Sequence, residues 1–293
     1  MKFDRHARRK LFSHTIAVIT GLCVIAILYP LVNLIYTAVQ KGGTVLFQLT
    51  FLTAITPNAC SAVSCETVGI GPAVQGTIIL VGLASLISVP VGVLAAIFAT
   101  EYRTRGLGRA ISFTADVLSG VPSIIMGAFI FGYFVLYNPT IVYSTISGSL
   151  ALSVIMIPII TRTTEEALRT VPIATREAAL ALGISKWKAT LRIVLIGALP
   201  GILTGVLLGV MRAAGEAAPL LFTAFGSQLF FRGLNQPVAA LPLLIYYYAL
   251  SSASNWQAIA WGATLFLLGA ILITNVVSRY VIHRLGRQMV GGT

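Results

Sequence analysis

"TIILVGLASLISVPVGVLAAIFA", residues 77–99, runs for 23 residues without one charged side chain. Wound as a helix at about 1.5 Å per residue, such a run crosses the ~30 Å hydrocarbon core of a bilayer. Comparable runs lie at 16–39, 111–136, 141–160, 199–225 and 256–277, so the sequence predicts six spans, of which 141–160 is the least apolar. The whole chain agrees: 57% of its 293 residues are hydrophobic and 10% charged, against about 25% charged in soluble domains. The predicted fold class is an all-α polytopic membrane protein, built as a single transmembrane domain over 1–293.

The first run follows a basic start, "MKFDRHARRK", as a signal peptide would. It is longer than the 7 to 15 apolar residues of a signal core, and no small-x-small cleavage site follows, so we expect a retained helix.

A formal charge of +12 raises the question of nucleic acid. The placement of the charges answers it. Five basic residues fall in 2–10, three in 103–109, six in 162–192 and three in 279–287, which puts 17 of the 20 on one side of the six-span layout. Lys41 and Arg232 fall on the other side, and Arg212 lies within a span. This bias places both termini in the cytoplasm.

Cys23 lies inside the first span as a small packing residue. Cys60 and Cys65, in "CSAVSC", fall in the outer loop 40–76, where a disulfide is permitted but their spacing alone does not establish one. In the second outer loop, 226–255, "LPLLIYYYAL" is too short to span and reads as an interfacial or re-entrant piece, with Tyr246, Tyr247 and Tyr248 as headgroup anchors.

On the inner side the segment 161–198 is too long and too patterned for a simple connector. Glu165 stands four residues before Arg169, a helix-supporting pair. Pro172 suits a first helical turn, Gly183 a C-terminal cap and Ser185 the N-cap of a further stretch. The pattern predicts two cytoplasmic helices meeting at a tight corner, a shape suited either to docking a partner or to lying on anionic lipid.

"EAALALG", 177–183, followed after nine residues by "IVL", resembles the EAA-G signature of inner-membrane permeases of binding-protein-dependent ABC importers, matched at Glu177, Ala178, Ala179, Gly183, Ile193 and Leu195. That pattern ends with proline after the leucine; here Ile196 follows and the nearest proline is Pro200. The resemblance is strongest to the PstA-type branch of phosphate importers, through "SGVPSIIMG" (119–127), "RTTEEALRTVP" (162–172), "REAALALGISKWK" (176–188), "RAAGEAAPLLFTA" (212–224), "QPVAALP" (236–242) and "NWQAIAWG" (255–262). Ala217 departs from the threonine expected there. The resemblance implies an N-in/C-in type I ABC importer permease that is not itself an enzyme. It also implies that Arg176, Glu177, Ala178, Ala179 and Gly183 couple the chain to an ATPase. The partners it implies are a second permease (PstC-like), two ATPase subunits (PstB-like) and a soluble phosphate-binding protein (PstS-like) outside, with no cofactor or metal. Consistent with this, the chain has no GxxxxGK[ST] phosphate loop and no HExxH.

Within the fifth span, Arg212 and Glu216 stand at i and i+4 and can reach each other on one helix face. Each costs roughly 2.5 to 3.5 kcal/mol at a bilayer centre, so the pair needs a purpose: gluing helices, or meeting an ion. Gly197, Gly201, Gly205 and Gly209 form a small-residue seam beside it, along which another helix can approach closely. Pro219 crowds the carbonyl of Gly215 and weakens the helix at the pair. The expected substrate path is therefore Arg212, Gly215, Glu216 and Pro219, with a guanidinium suited to an oxyanion. Asp116, on the third span, is expected to pair with a basic residue at the inner interface. Three rival readings stand beside phosphate import: an importer of another oxyanion such as sulfate or molybdate, an ATP-independent anion channel or carrier, and a role in reporting phosphate supply to a sensor kinase, which is compatible with transport.

Overall fold

The computed structural model describes residues 5–48, 50–56, 69–101 and 106–290, and its regular elements are helices. Four single helices are long and apolar enough to cross a membrane: α1 (Arg5–Leu46), α2 (Gly71–Glu101), α5 (Thr145–Arg169) and α11 (Ser254–Val290). A further crossing, Lys186–Ala214, joins α7 (Lys186–Ala189) through a π turn at Thr190–Val194 to α8 (Leu195–Ala214).

The expected span at 111–136 is not one helix. It is α3 (Gly106–Gly120) and α4 (Ser123–Tyr137), bent by 104°. Pro122 has no amide hydrogen for the carbonyl of Leu118 and disfavours helical geometry at Val121. The Val121 N–H closes on that carbonyl instead, at 3.2 Å, and Pro122 is extended at φ −57°, ψ 134°. Counted as one crossing, the bent pair brings the total among the described residues to six.

α5 is the pillar of the bundle. In its most apolar 18-residue stretch 67% of residues are buried, against 22% in α2 and 28% in Lys186–Ala214. Its buried Ser153 and Thr161 hydroxyls bond back to carbonyls of α5 itself and so need no partner from a neighbouring helix. Gly92 of α2 meets Ile160 of α5, while Gly201, Gly205 and Gly209 of α8 press on Ala167, Thr163 and Ile160. The helix that uses the glycine seam is therefore α5. Leu80, Leu152, Met156, Ile160, Leu220 and Leu243 fill the core around it.

The outer end of α5 is sealed by backbone carbonyls from the second outer loop. Ser144 caps the Ser147 N–H at 3.1 Å, and the amides of Thr145 and Ile146 donate to Gln236 and Leu234 at 3.0 and 3.1 Å. In that loop α10 (Leu241–Ala249) turns Leu241, Leu243 and Leu244 inward. Tyr246 and Tyr247 are exposed, but Tyr248, one turn beyond Leu244, is buried and stacks on Trp256 at 5.1 Å, so it is no headgroup anchor.

α1 joins this body at one crossing. Gly42 lies so close to α11 that a Cβ would stand 2.5 Å from the Trp261 carbonyl oxygen, and from Arg8 to Tyr36 the helix is exposed throughout.

Candidate functional site

The expected helix over 199–225 breaks where the charged pair lies. α8 stops at Ala214, with the amides of Gly215 and Glu216 closing on Arg212 and Ala213 at 3.1 and 3.3 Å, a tighter last turn than an α-helix has. Pro219 has no N–H with which to continue, and the chain restarts as the short α9 (Ala218–Thr223). Arg212 occupies the last turn of α8, where the carbonyl end of the helix dipole favours a cation. Glu216 lies in the non-helical link, yet the pair is kept, with Arg212 Nε 3.2 Å from Glu216 Oε1. The guanidinium side chain is 57% exposed and the carboxylate 16%.

Arg212 lines a cavity of about 130 Å³ together with Ser119, Ser123, Met126, Ile155 and Pro158. Ser119 and Ser123 flank the bend between α3 and α4, so two broken spans face one another. They also touch: a Cβ on Gly127 of α4 would lie 2.5 Å from Pro219 Cα. Irregular backbone at membrane depth persists only where protein buries it or where it lines a wet cavity. Gly127→Val puts a branched side chain into backbone that cannot yield. The expected cost is about 3 kcal/mol, seen as a lower unfolding temperature in detergent with uptake reduced in proportion to folded protein.

At the inner corner α6 (Ile173–Ala181) begins after Pro172, which occupies the N-cap at φ −55°, ψ 140° and not the first turn. Gly183 is left-handed at φ 77°. Its amide donates to Leu180 at 2.9 Å and that of Ile184 to Ala179 at 3.1 Å, a glycine-terminated helix end. Ser185 precedes α7 in extended form, but its side chain makes no capping bond. Glu177, Ala178 and Gly183 face outward, Ala179 is buried, and Ile173, Leu182 and Trp187 add an exposed apolar surface.

Arg176 turns inward. Its guanidinium donates to Glu101 Oε1 at 2.5 Å and to the Leu168 carbonyl at 2.6 Å. Lys186 Nζ donates to the Glu101 carbonyl at 2.5 Å and stands 3.8 Å from its carboxylate. Glu101, at the end of α2 and nearly buried, therefore fastens both sides of the corner. Sequence reading missed it; the available signal was an acid closing an apolar run of an otherwise basic inner face. A second network fixes α3 to α5. The buried carboxylate of Glu165 accepts from Ser112 at 3.1 Å, from Arg162 Nη1 at 2.8 Å and from Arg169, while Arg162 also pairs with Asp116.

Cys60 and Cys65 lie outside the described residues. Cys23 is exposed on α1. Among the described residues no cluster of His, Cys, Asp or Glu has the makings of a metal site.

The family described as "Binding-protein-dependent transport system inner membrane component" matches residues 88–287. The chain belongs to this family. Among relatives of this transport component, the phosphate transport system permease protein PstA of Xylella fastidiosa strain Temecula1 is 38% identical over 282 residues, 95% of each chain. Its namesake from Haemophilus influenzae is 36% identical over 95% of this chain and 98% of its own. A solved bacterial alginate ABC transporter, in complex with an alginate-bound periplasmic protein, has a chain that superposes with a TM-score of 0.59 at 14% identity, covering 98% of this chain and 99% of that one, a likeness of fold. The transport component is thus a multi-pass inner-membrane permease of type I importer fold, working in a complex in which a separate subunit hydrolyses ATP.

Proposed function

We propose that this permease carries inorganic phosphate inward, supplying half of the pathway in an ATP-driven importer. The observation that carries this reading is likeness at 34–38% identity to proteins named for phosphate transport, in several of which it spans nearly the whole chain. The bends around Arg212 give it a chemistry. Glu216 engages Nε and Arg212 lines the cavity, so the two terminal nitrogens of the guanidinium are left to suit two oxygens of a tetrahedral anion. Glu216 competes for the arginine and so keeps the ion from being held too long. Gly215 and Pro219 place the hinge at this level.

On the inner side Glu177, Ala178 and Gly183 form the face offered to an ATPase, with Ala179 packing beneath and Arg176 anchoring the corner to Glu101. The complex we infer contains a second permease (PstC-like), two ATPase subunits (PstB-like) and an outer phosphate-binding protein (PstS-like). Glu177→Lys reverses a charge on this face, and Gly183→Pro cannot adopt φ 77°. Either is expected to reduce uptake to background in vesicles while the chain still inserts; uptake at the parental rate removes the corner from the coupling role.

The reading itself is tested by ATP-dependent uptake of labelled phosphate into vesicles containing the assembled complex, with sulfate and molybdate as competitors. Uptake that requires ATP and resists both supports it. Suppression by either assigns the pathway to another oxyanion, and uptake without ATP makes it a channel or carrier.

A further inference from the structure

Apart from Arg212, the side chains with oxygen or nitrogen that line the small cavity are Ser119, in the last turn of α3, and Ser123, at the start of α4. Met126, Ile155 and Pro158 supply apolar wall. The space, about 130 Å³, is several times what one water molecule needs. A guanidinium only donates hydrogen bonds, so Arg212 serves any tetrahedral oxyanion alike. The serines differ from it and from each other. The Ser119 hydroxyl donates to the Ala115 carbonyl, one turn back, at 2.8 Å. A carbonyl cannot donate, so the single hydrogen of that hydroxyl is committed, and what Ser119 still offers is lone pairs. The Ser123 hydroxyl has no hydrogen-bond partner among the described residues and is free to turn either way.

That asymmetry sorts anions by their protons. Near neutral pH inorganic phosphate still carries hydrogen on at least one oxygen, whereas sulfate carries none. A phosphate hydroxyl can donate to Ser119 while the ionised oxygens accept from Arg212. A sulfate in the same place turns a bare oxygen toward the Ser119 lone pairs, and neither side finds a donor. A site that bonds a substrate hydroxyl rejects an analogue lacking it more sharply than a site matched in size alone.

We propose that Ser119 is a specificity-determining residue of the pathway, the acceptor that favours a protonated tetrahedral anion over a fully ionised one of similar size. The inference rests on the reading that phosphate passes Arg212. To that reading it adds a group of opposite hydrogen-bonding sense, carried by the bent span on the other side of the cavity. Because its hydrogen is held by its own helix, Ser119 cannot rotate to serve a sulfate without giving up the bond to Ala115. The discrimination is therefore built into α3 and needs no charged group beside the anion other than the arginine.

The test is equilibrium binding of labelled phosphate to the membrane complex, both permeases with their ATPases, in nanodiscs without the soluble binding protein, so that the membrane site alone discriminates. Sulfate and fluorophosphate compete. At slightly alkaline pH fluorophosphate matches hydrogen phosphate in charge and nearly in size, but has fluorine in place of the hydroxyl and no proton. The parent is expected to prefer phosphate to both. In Ser119→Ala that preference should shrink about five- to thirtyfold, the worth of one hydrogen bond made with an ion, through weaker binding of phosphate alone. Ser119→Thr keeps the hydroxyl and should preserve it. An unchanged preference in Ser119→Ala, an equal loss in Ser119→Thr, or a parent that does not tell the three anions apart overturns the proposal. So does an equal fall in affinity for all three, the mark of a merely structural role. ATP-dependent phosphate uptake by the complete parent complex separates the two ideas. Uptake with an unchanged preference in Ser119→Ala defeats the role of Ser119 alone, whereas absence of uptake defeats the functional reading.

Discussion

Arg212→Gln is expected to lower ATP-dependent phosphate uptake by about tenfold to a hundredfold, the scale of removing charged hydrogen bonds from an anion, at unchanged levels of assembled complex. The glutamine keeps polarity and much of the length but loses the permanent charge. Arg212→Lys should fall between, because an ammonium retains the charge without the planar pair of donors. Glu216→Gln acts in the opposite sense on binding. With its competitor neutralised, the guanidinium holds the anion longer, so the concentration for half-maximal uptake falls and the maximal rate falls with it. Measuring both parameters for the three variants, with ATP hydrolysis alongside, checks the assignment. Full uptake in Arg212→Gln leaves the pair as glue between α8 and α9.

Glu101→Ala is expected to be nearly as severe, by a different route. Removing one partner of a nearly buried ion pair costs about 3 kcal/mol, because the other charge stays behind without compensation. Here Arg176 loses its carboxylate partner, while Lys186 loses a charge 3.8 Å away but keeps its bond to the backbone carbonyl of residue 101. The corner should sit more loosely on α2, so that ATP is hydrolysed without matching transport, or the ATPase is lost on purification. The ratio of phosphate moved to ATP consumed, measured against Glu101→Gln, reads this directly. Both variants keep the backbone bond to Lys186; the glutamine also keeps a side-chain oxygen that accepts from Arg176, without the charge, and should show an intermediate ratio. An unchanged ratio in Glu101→Ala assigns the coupling to the outward face of α6 alone.

The sequence was most legible where one physical rule acts alone. Apolar length marked each crossing region, and the placement of basic residues supplied an orientation. The Pro and Gly residues that interrupt two spans were visible, and a weakened helix at Pro219 was expected, but not that both spans break outright. Pro90 and Pro158 also lie inside helices, and there α2 and α5 continue through. What accompanies the breaks at Pro122 and Pro219 is that the two interrupted spans meet, Gly127 of α4 lying on Pro219. That is a property of tertiary packing, which spacing along the chain does not carry. The same limit hid Glu101: its partners stand 75 and 85 positions away, and an acid after an apolar run reads as a solvated end. Arg212 and Glu216 were legible because a charge inside a membrane is anomalous on its own terms.

The central position of α5 bears on how the chain is made. Its best stretch has a mean hydropathy of 1.5, against 2.5 in α2 and 2.4 in the crossing that ends in α8, so of the three it is the poorest candidate to enter lipid unaided. Synthesis delivers it before α8, the helix whose glycines cover its inner half. A nascent chain ending between the two therefore holds a serine- and threonine-rich crossing with one flank open. Insertion of α5 and arrival of α8 become coupled events, and the inner corner that joins them is built during the same interval. A mutation in the glycine seam of α8 then acts first on membrane integration, before any finished transporter exists to be impaired.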